Sequence, residues 1–315
     1  MLCVIYFADS DHHQHGISDV IDFISFNERN RQITSLLPLP EKVTACHIDG
    51  LYIRLYEPKC AVEDVLFIYH GGGVNSDAGY DTFARQMNLA GSVCVCLVDI
   101  RGHGRSSGHR GKVSNPEQIW RDVDTVLEHV RAIYPQARTH LLGHSSGGGM
   151  LINYFTRYSS AQKSDSLILL ATEFGPFAPA DIHRRTSVPF ALVNKWPFIL
   201  NALSAGFLCG DCFAVTLNFP DEVLALKPEF VQRYSVNMAN ALTPRQPARQ
   251  VTALPLPVTV LIAEKDEIFD AQLTAKFVAG CGNQNIRIRI IERSNHLDCI
   301  FNVSDEIRQH LMEHV

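Results

Sequence analysis

The chain has 315 residues, 46% of them apolar and 19% charged. Such a composition supports a large buried core and excludes an intrinsically disordered chain. With 28 basic and 33 acidic side chains the net charge is −5, which gives no electrostatic case for nucleic-acid binding.

At about 150 residues per domain the length suggests two domains, or one α/β domain carrying insertions. The nine cysteines are odd in number and the chain is long, so they do not form a disulfide framework. Cys209 and Cys212 have zinc-like spacing but no second cysteine pair beside them. No lysine or arginine precedes Arg29 in the apolar N-terminus, which argues against a secretory signal. The apolar uncharged run Trp196 to Gly210 has 15 residues and contains Pro197, whereas a membrane helix needs about 20. These features read as a soluble protein of a reducing, cytoplasmic compartment, with no transmembrane segment and with its oligomeric state left open.

Residues 1–40 form an N-terminal extension. Within it Ile17, Val20, Ile21 and Ile24 have helical spacing after a candidate cap at Ser18. The cluster Asp11-His-His-Gln-His15 on this polar tail is read as adventitious, and no metal is assigned. The segments Val43–Ile48 and Leu51–Tyr56, joined by Asp49-Gly50, predict a β-hairpin. The continuous apolar run Val65–Tyr69 predicts a strand covered on both faces and ends in His70-Gly-Gly-Gly73. A helix follows over Tyr80–Ala90, then a buried strand over Val93–Val98. Asn115-Pro116 starts a helix with one apolar stripe from Ile119 to Ile133.

The spacing predicts a short strand over His140–Gly143, a helix over Ser146–Tyr158 and a strand over Ser166–Ala171. The same rhythm returns with strands at Val258–Ala263 and Ile286–Ile291, each followed by a helix, the last one over Asn302–Val315. Strands alternating with helices predict an α/β fold: a mostly parallel sheet with helices on both faces. The core would comprise residues 41–171 and 258–315. Between them, residues 172–257 are rich in proline and lack strand alternation, which predicts a helical cap insertion.

Gly143-His144-Ser145-Ser146-Gly147 matches G-x-S-x-G, directly after a buried strand and directly before a helix. That is the setting of a nucleophile elbow, in which a tight turn lifts the serine above the sheet edge. A serine hydroxyl needs a base, and this arrangement supplies its partners in chain order serine, acid, histidine. The strand Val258–Ala263 ends in Glu264-Lys-Asp266, and the strand Ile286–Ile291 leads to His296. Ser145, Asp266 and His296 are thus expected on one rim of the sheet. Glu264, Glu267 and Asp270 are rivals for the acid, and His310 and His314 for the base.

Acyl-transfer chemistry also needs two N–H donors for the developing oxyanion. Ser146, which follows the nucleophile, is one candidate. Gly72, in the glycine loop after His70, is the other, with Gly71 as its rival. Gly71 and His144 are further candidate substrate contacts, and His70 reads as a structural hydrogen-bonding residue. The loop Arg101–Gly108 lacks a phosphate-binding pattern and reads as structural.

Taken together, His70-Gly71-Gly72, Asp99-Ile-Arg-Gly-His-Gly-Arg-Ser106, Gly143-His-Ser-Ser-Gly-Gly148, Asp266 and His296 resemble α/β-hydrolases of the monoglyceride lipase, lysophospholipase and serine aminopeptidase S33 group. The resemblance covers about residues 43–315 apart from the insertion. It implies an α/β-hydrolase fold, a triad at Ser145, Asp266 and His296, and a lid over the pocket. Two features depart from the group: Asn295 rather than glycine precedes the histidine, and three glycines follow His70.

The expected function is cleavage of carboxylic esters through an acyl-enzyme on Ser145, without a cofactor. The expected partner is a small acyl substrate, apolar or lipid-like. A thioesterase, an acyltransferase or a peptidase would use the same triad, and a ligand-binding module would need none of it. Both joints of the insertion fall on the catalytic rim, so it should arch over Ser145. Its apolar residues, among them Phe198, Leu203 and Phe207, are expected to line the pocket and select longer acyl groups.

Overall fold

A computed structural model describes residues 21–89, 91–159, 161, 164–186 and 188–313. The candidate cap Ser18, the positions Ile17 and Val20, the histidine cluster at 11–15 and His314 lie outside the described residues.

The first helix, α1 (Phe23–Leu36), starts one turn later than the isoleucine spacing suggests, because Asp22 caps it by accepting the Ser25 N–H. The hairpin β1 (Lys42–Ile48) and β2 (Leu51–Glu57) turns at Asp49 and Gly50, both with positive φ. Then come β3 (Asp64–Tyr69), α2 (Tyr80–Asn88), β4 (Val93–Val98) and α3 (Pro116–Ile133). Asn115 caps α3 by accepting the Glu117 N–H. The core continues through β5 (Arg138–His144), α4 (Ser146–Arg157) and β6 (Ser166–Leu170).

The insertion is not all helical. It holds β7 (Ala191–Val193), α5 (Lys195–Leu203), β8 (Phe213–Leu217), α6 (Asp221–Leu226), β9 (Arg233–Ser235), α7 (Val236–Leu242) and α8 (Pro247–Thr252). Strands β7, β8 and β9 form their own antiparallel sheet. Two of these strands have only three residues, and a register shift between Phe213 and Val215 breaks the alternation of the third. That is why the sequence pattern shows no strand there. The core resumes with β10 (Val258–Ala263), α9 (Ala271–Gly280), β11 (Ile286–Ile291), α10 (Cys299–Asn302) and α11 (Ser304–Glu313). The expected last helix is α11, starting at Ser304, and the short α10 before it was not expected.

The large sheet has the order β1-β2-β4-β3-β5-β6-β10-β11. From β4 to β11 every pairing is parallel, and the hairpin adds antiparallel strands at one edge. Every side chain of β3, β4, β6 and β10 is buried, so both faces of the sheet are covered. The second half of the insertion is tied to this core. Trp120 Nε1 donates to the Ala241 carbonyl, and Asn153 Nδ2 donates to the carbonyls of Ala241 and Thr243. The parallel strands all end on one rim, where the loops after β3, β5, β10 and β11 meet.

Candidate active site

Ser145 sits between β5 and α4 with φ 53° and ψ −119°, in the left-handed region that a non-glycine residue rarely adopts. The turn closes this tightly because its flanking residues lack side chains. A Cβ on Gly143 would stand 2.5 Å from the Gly147 backbone, and one on Gly147 would collide with the Tyr69 carbonyl. The Ser145 N–H donates to the Leu170 carbonyl of β6, which fixes the elbow to the sheet.

His296 lies beyond the end of β11, with Nε2 3.0 Å from Ser145 Oγ. Its Nδ1 is 2.8 Å from Asp266 Oδ2, at the end of β10. A carboxylate only accepts, so Nδ1 carries the proton and Nε2 accepts from the serine hydroxyl. The other Asp266 oxygen accepts the N–H groups of Ile268 and Phe269, which holds the carboxylate in place. The rival acids are engaged elsewhere. Glu264 accepts the Arg293 N–H, Glu267 accepts the His296 N–H, and Asp270 caps α9. His310 lies deep in the core, hydrogen-bonded to Thr259 and Ser166.

Burial disfavours the His296 imidazolium, but the Asp266 carboxylate outweighs it, with help from Glu267 and Glu173, and the net pKa is raised above the ordinary 6.5. A base must be neutral to accept a proton, so activity should fall as pH drops through this raised value. The acid limb of kcat/KM should therefore lie above pH 6.5, and a limb at or below it would contradict this electrostatic balance.

The glycine loop shows which amide is free. Gly71 N–H donates to Tyr80 Oη at 2.8 Å, and Gly73 N–H donates to Tyr234 Oη at 2.5 Å. The amide of Gly72, between them, has no partner among the described residues. A Cβ on Gly72 would stand 3.3 Å from Ser146 Oγ, so the two expected oxyanion donors are neighbours. His144 belongs to the scaffold of this loop. Its Nε2 donates to the His296 carbonyl at 3.0 Å, and its Nδ1 accepts from Tyr80 Oη at 2.8 Å. Burial, reinforced by the nearby His296, pushes its pKa down to about 3 and keeps the ring neutral. His70 is likewise structural: Nε2 accepts the Ile100 N–H and Nδ1 donates to the Gly71 carbonyl.

A pocket opens at Ser145 and is lined by Gly71, Gly72, Tyr80, His144 and His296. Its apolar wall differs from the expected one. Leu203 is 82% exposed and Phe207 89% exposed, and neither touches the pocket; Phe198 packs against the core outside it. The first half of the insertion turns Leu203 and Phe207 outward. Phe190, Val223 and Phe230 are the insertion's wall residues. The rest of the apolar wall is α1 and its approach, with Ile21, Phe23 and Phe26. Phe26 stacks on Phe301 at 5.0 Å, and Phe23 packs against Phe190 and Phe219. Arg29 pairs with Asp298, which anchors α1 beside the histidine loop. The sequence signal for this wall is Phe23 and Phe26, one turn apart after Asp22.

The family model for serine aminopeptidase S33 matches residues 61–299. The chain belongs to this family. Among curated proteins it is 24% identical over 270 residues to the monoglyceride lipase of Rattus norvegicus, covering 82% of this chain and 83% of that one. It is 23% identical over 278 residues to the monoacylglycerol lipase of Mycolicibacterium smegmatis, covering 83% and 92%. Among solved structures, a soluble variant of monoglyceride lipase from Saccharomyces cerevisiae superposes with a TM-score of 0.65 at 16% identity, covering 88% of this chain and 97% of that one. The fold is thus that of the α/β-hydrolases, and the chain is a serine hydrolase of the S33 family that is similar to carboxylic ester hydrolases. No described helix is long and apolar enough to cross a membrane.

Proposed function

We propose that this S33 hydrolase cleaves carboxylic esters of a small alcohol with an apolar acyl chain, monoacylglycerols being the class that fits. The observation that carries the reading is a serine within 3.0 Å of a carboxylate-paired histidine, at an opening walled by phenylalanine and aliphatic side chains.

His296 Nε2 takes the Ser145 proton as Oγ attacks the ester carbonyl carbon. The carbonyl oxygen becomes an oxyanion facing the N–H groups of Gly72 and Ser146. Asp266 stabilises the imidazolium without itself taking the proton. The tetrahedral intermediate then collapses, the C–O bond to the alcohol breaks, and His296 protonates the departing oxygen. Water attacks the acyl-enzyme with His296 as base, and the freed acid leaves Ser145 as it began. No cofactor enters these steps.

Burying a methylene contributes about 0.8 kcal/mol. A longer acyl chain lying against Phe23, Phe26, Phe190 and Phe230 should therefore raise kcat/KM until the wall is covered. Phe23→Ala and Phe26→Ala should each reduce kcat/KM about tenfold for octanoyl and longer esters, with little change for acetyl esters. Leu203→Ser and Phe207→Ser should leave this preference unmoved. The test is kcat/KM against acyl length for p-nitrophenyl esters and 1-acylglycerols, beside matched thioesters and aminoacyl amides. A preference for acetyl esters, or for thioesters or amides, would overturn the lipid-ester reading.

A further inference from the structure

The two glycines that flank Gly72 are held from different parts of the molecule. Gly71 is held by the core, through Tyr80 and His70. Gly73 is held by the insertion. Its N–H donates to Tyr234 Oη, and its carbonyl accepts the Val231 N–H at 2.7 Å. Its φ is +76°, and a Cβ there would stand 2.7 Å from Leu217 and Phe219. Only glycine lets the insertion approach this closely, which accounts for the third glycine after His70.

Tyr234 is buried on β9, and its hydroxyl has one available orientation. The Arg101 carbonyl can only accept, so His103 Nδ1 donates to it at 3.2 Å. Burial, with the nearby His70, pushes the His103 pKa down to about 3, so the ring is neutral and its Nε2 accepts. Tyr234 Oη then donates to that nitrogen at 2.8 Å and accepts from Gly73. Strand β9 is itself seated on a second glycine. Ser235 N–H donates to the Gly111 carbonyl, and a Cβ on Gly111 would collide with the Arg233 carbonyl.

Two peptide planes meet at Gly72, and both are pinned. The plane that carries the Gly72 N–H includes the Gly71 carbonyl, held by His70. The next plane includes the Gly73 N–H, held by Tyr234. We infer that Tyr234 is a positioning residue: acting through Gly73 it fixes the peptide plane that follows Gly72, while His70 fixes the plane that carries its N–H, so the Gly72 amide is held from both sides only when the insertion is seated. The inference rests on the reading of Ser145 as nucleophile and Gly72 as oxyanion donor. It makes turnover conditional on a contact between the insertion and the core, independent of how well the acyl chain binds.

The test is Tyr234→Phe, which keeps the ring and deletes the hydroxyl. Loss of an oxyanion donor costs about 10²–10³ in kcat, so loss of its positioning bond should lower kcat about tenfold. KM should stay within about twofold, and the loss should be equal for acetyl and octanoyl esters. The second-order rate of fluorophosphonate labelling should fall by the same factor. His103→Leu, which leaves the tyrosine hydroxyl in place but removes its acceptor, should lose kcat in the same way and serves if Tyr234→Phe does not fold. The double variant should be no worse than the weaker single one. A lowered Tm with kcat retained would make Tyr234 merely structural and overturn the inference, as would a loss confined to KM for octanoyl esters. Ser145→Ala, assayed alongside, separates the two readings. Activity surviving in Ser145→Ala overturns the proposed function itself, whereas an inactive Ser145→Ala beside a fully active Tyr234→Phe overturns only the role of Tyr234.

Discussion

Ser145→Ala and His296→Ala should each lower kcat on the preferred ester by at least about 10⁴-fold, and the double variant should lose no more than either one alone. The reason is the single hydrogen bond that joins them. Ser145 Oγ becomes a nucleophile only as its proton passes to His296 Nε2, 3.0 Å away, so removing either end removes the same step. What remains in either variant is the rate supplied by binding and by the oxyanion donors. Additive losses in the double variant would mean that the two side chains act in separate steps. Neither substitution should unfold the protein. Ser145→Ala deletes one hydroxyl, and the elbow is held by backbone bonds from Ser145 N–H to Leu170 and from Glu173 N–H to the Ser145 carbonyl.

Asp266→Asn should lower kcat by about 10⁴-fold at neutral pH. An amide in this place can turn its NH₂ toward His296 Nδ1. That nitrogen would then have to accept, the ring proton would move to Nε2, and the base would face Ser145 with its proton already in place. The Ile268 and Phe269 N–H groups, which now donate to Oδ1, favour an amide oxygen at that position and so favour the wrong tautomer. Glu264→Gln and Asp270→Asn should retain kcat within a few-fold, since those carboxylates serve the Arg293 amide and the α9 cap. A measured pH profile of Asp266→Asn with an unshifted acid limb and wild-type kcat would remove Asp266 from the site.

The parts of the fold legible in the sequence are those whose cause is local. Val93–Val98 is an uninterrupted apolar run and Val258–Ala263 is broken only by Thr259, and the strands have those bounds because both faces are covered. The tight turn at Ser145 is local too, since Gly143, Ser145 and Gly147 encode it within five residues. Asp266 and His296 could be read because each lies just past a strand end, and in a parallel sheet all such ends share a rim.

What was not legible depends on which surface covers which. The segment from Phe198 to Phe207 is apolar enough to be a pocket wall, but apolarity does not say which side is covered, and Leu203 and Phe207 face outward. Part of the wall comes from α1, whose phenylalanines reach the site by packing on Phe301 and Phe190, far away in the chain. Tyr80 and Tyr234 carry no motif at all. Their roles exist only once α2 and β9 have come to either side of one glycine loop.

The claim on which the rest depends is that the acyl group is carried on Ser145 Oγ. The most direct measurement is to titrate the wild-type protein with a fluorophosphonate, follow residual ester hydrolysis, and locate the adduct by mass spectrometry of peptides. One adduct per chain is expected, on the peptide containing Ser145, with hydrolysis lost in step with labelling and no adduct in Ser145→Ala. A stoichiometric adduct elsewhere, on Ser146 for example, or full labelling of Ser145 with hydrolysis intact, would contradict it.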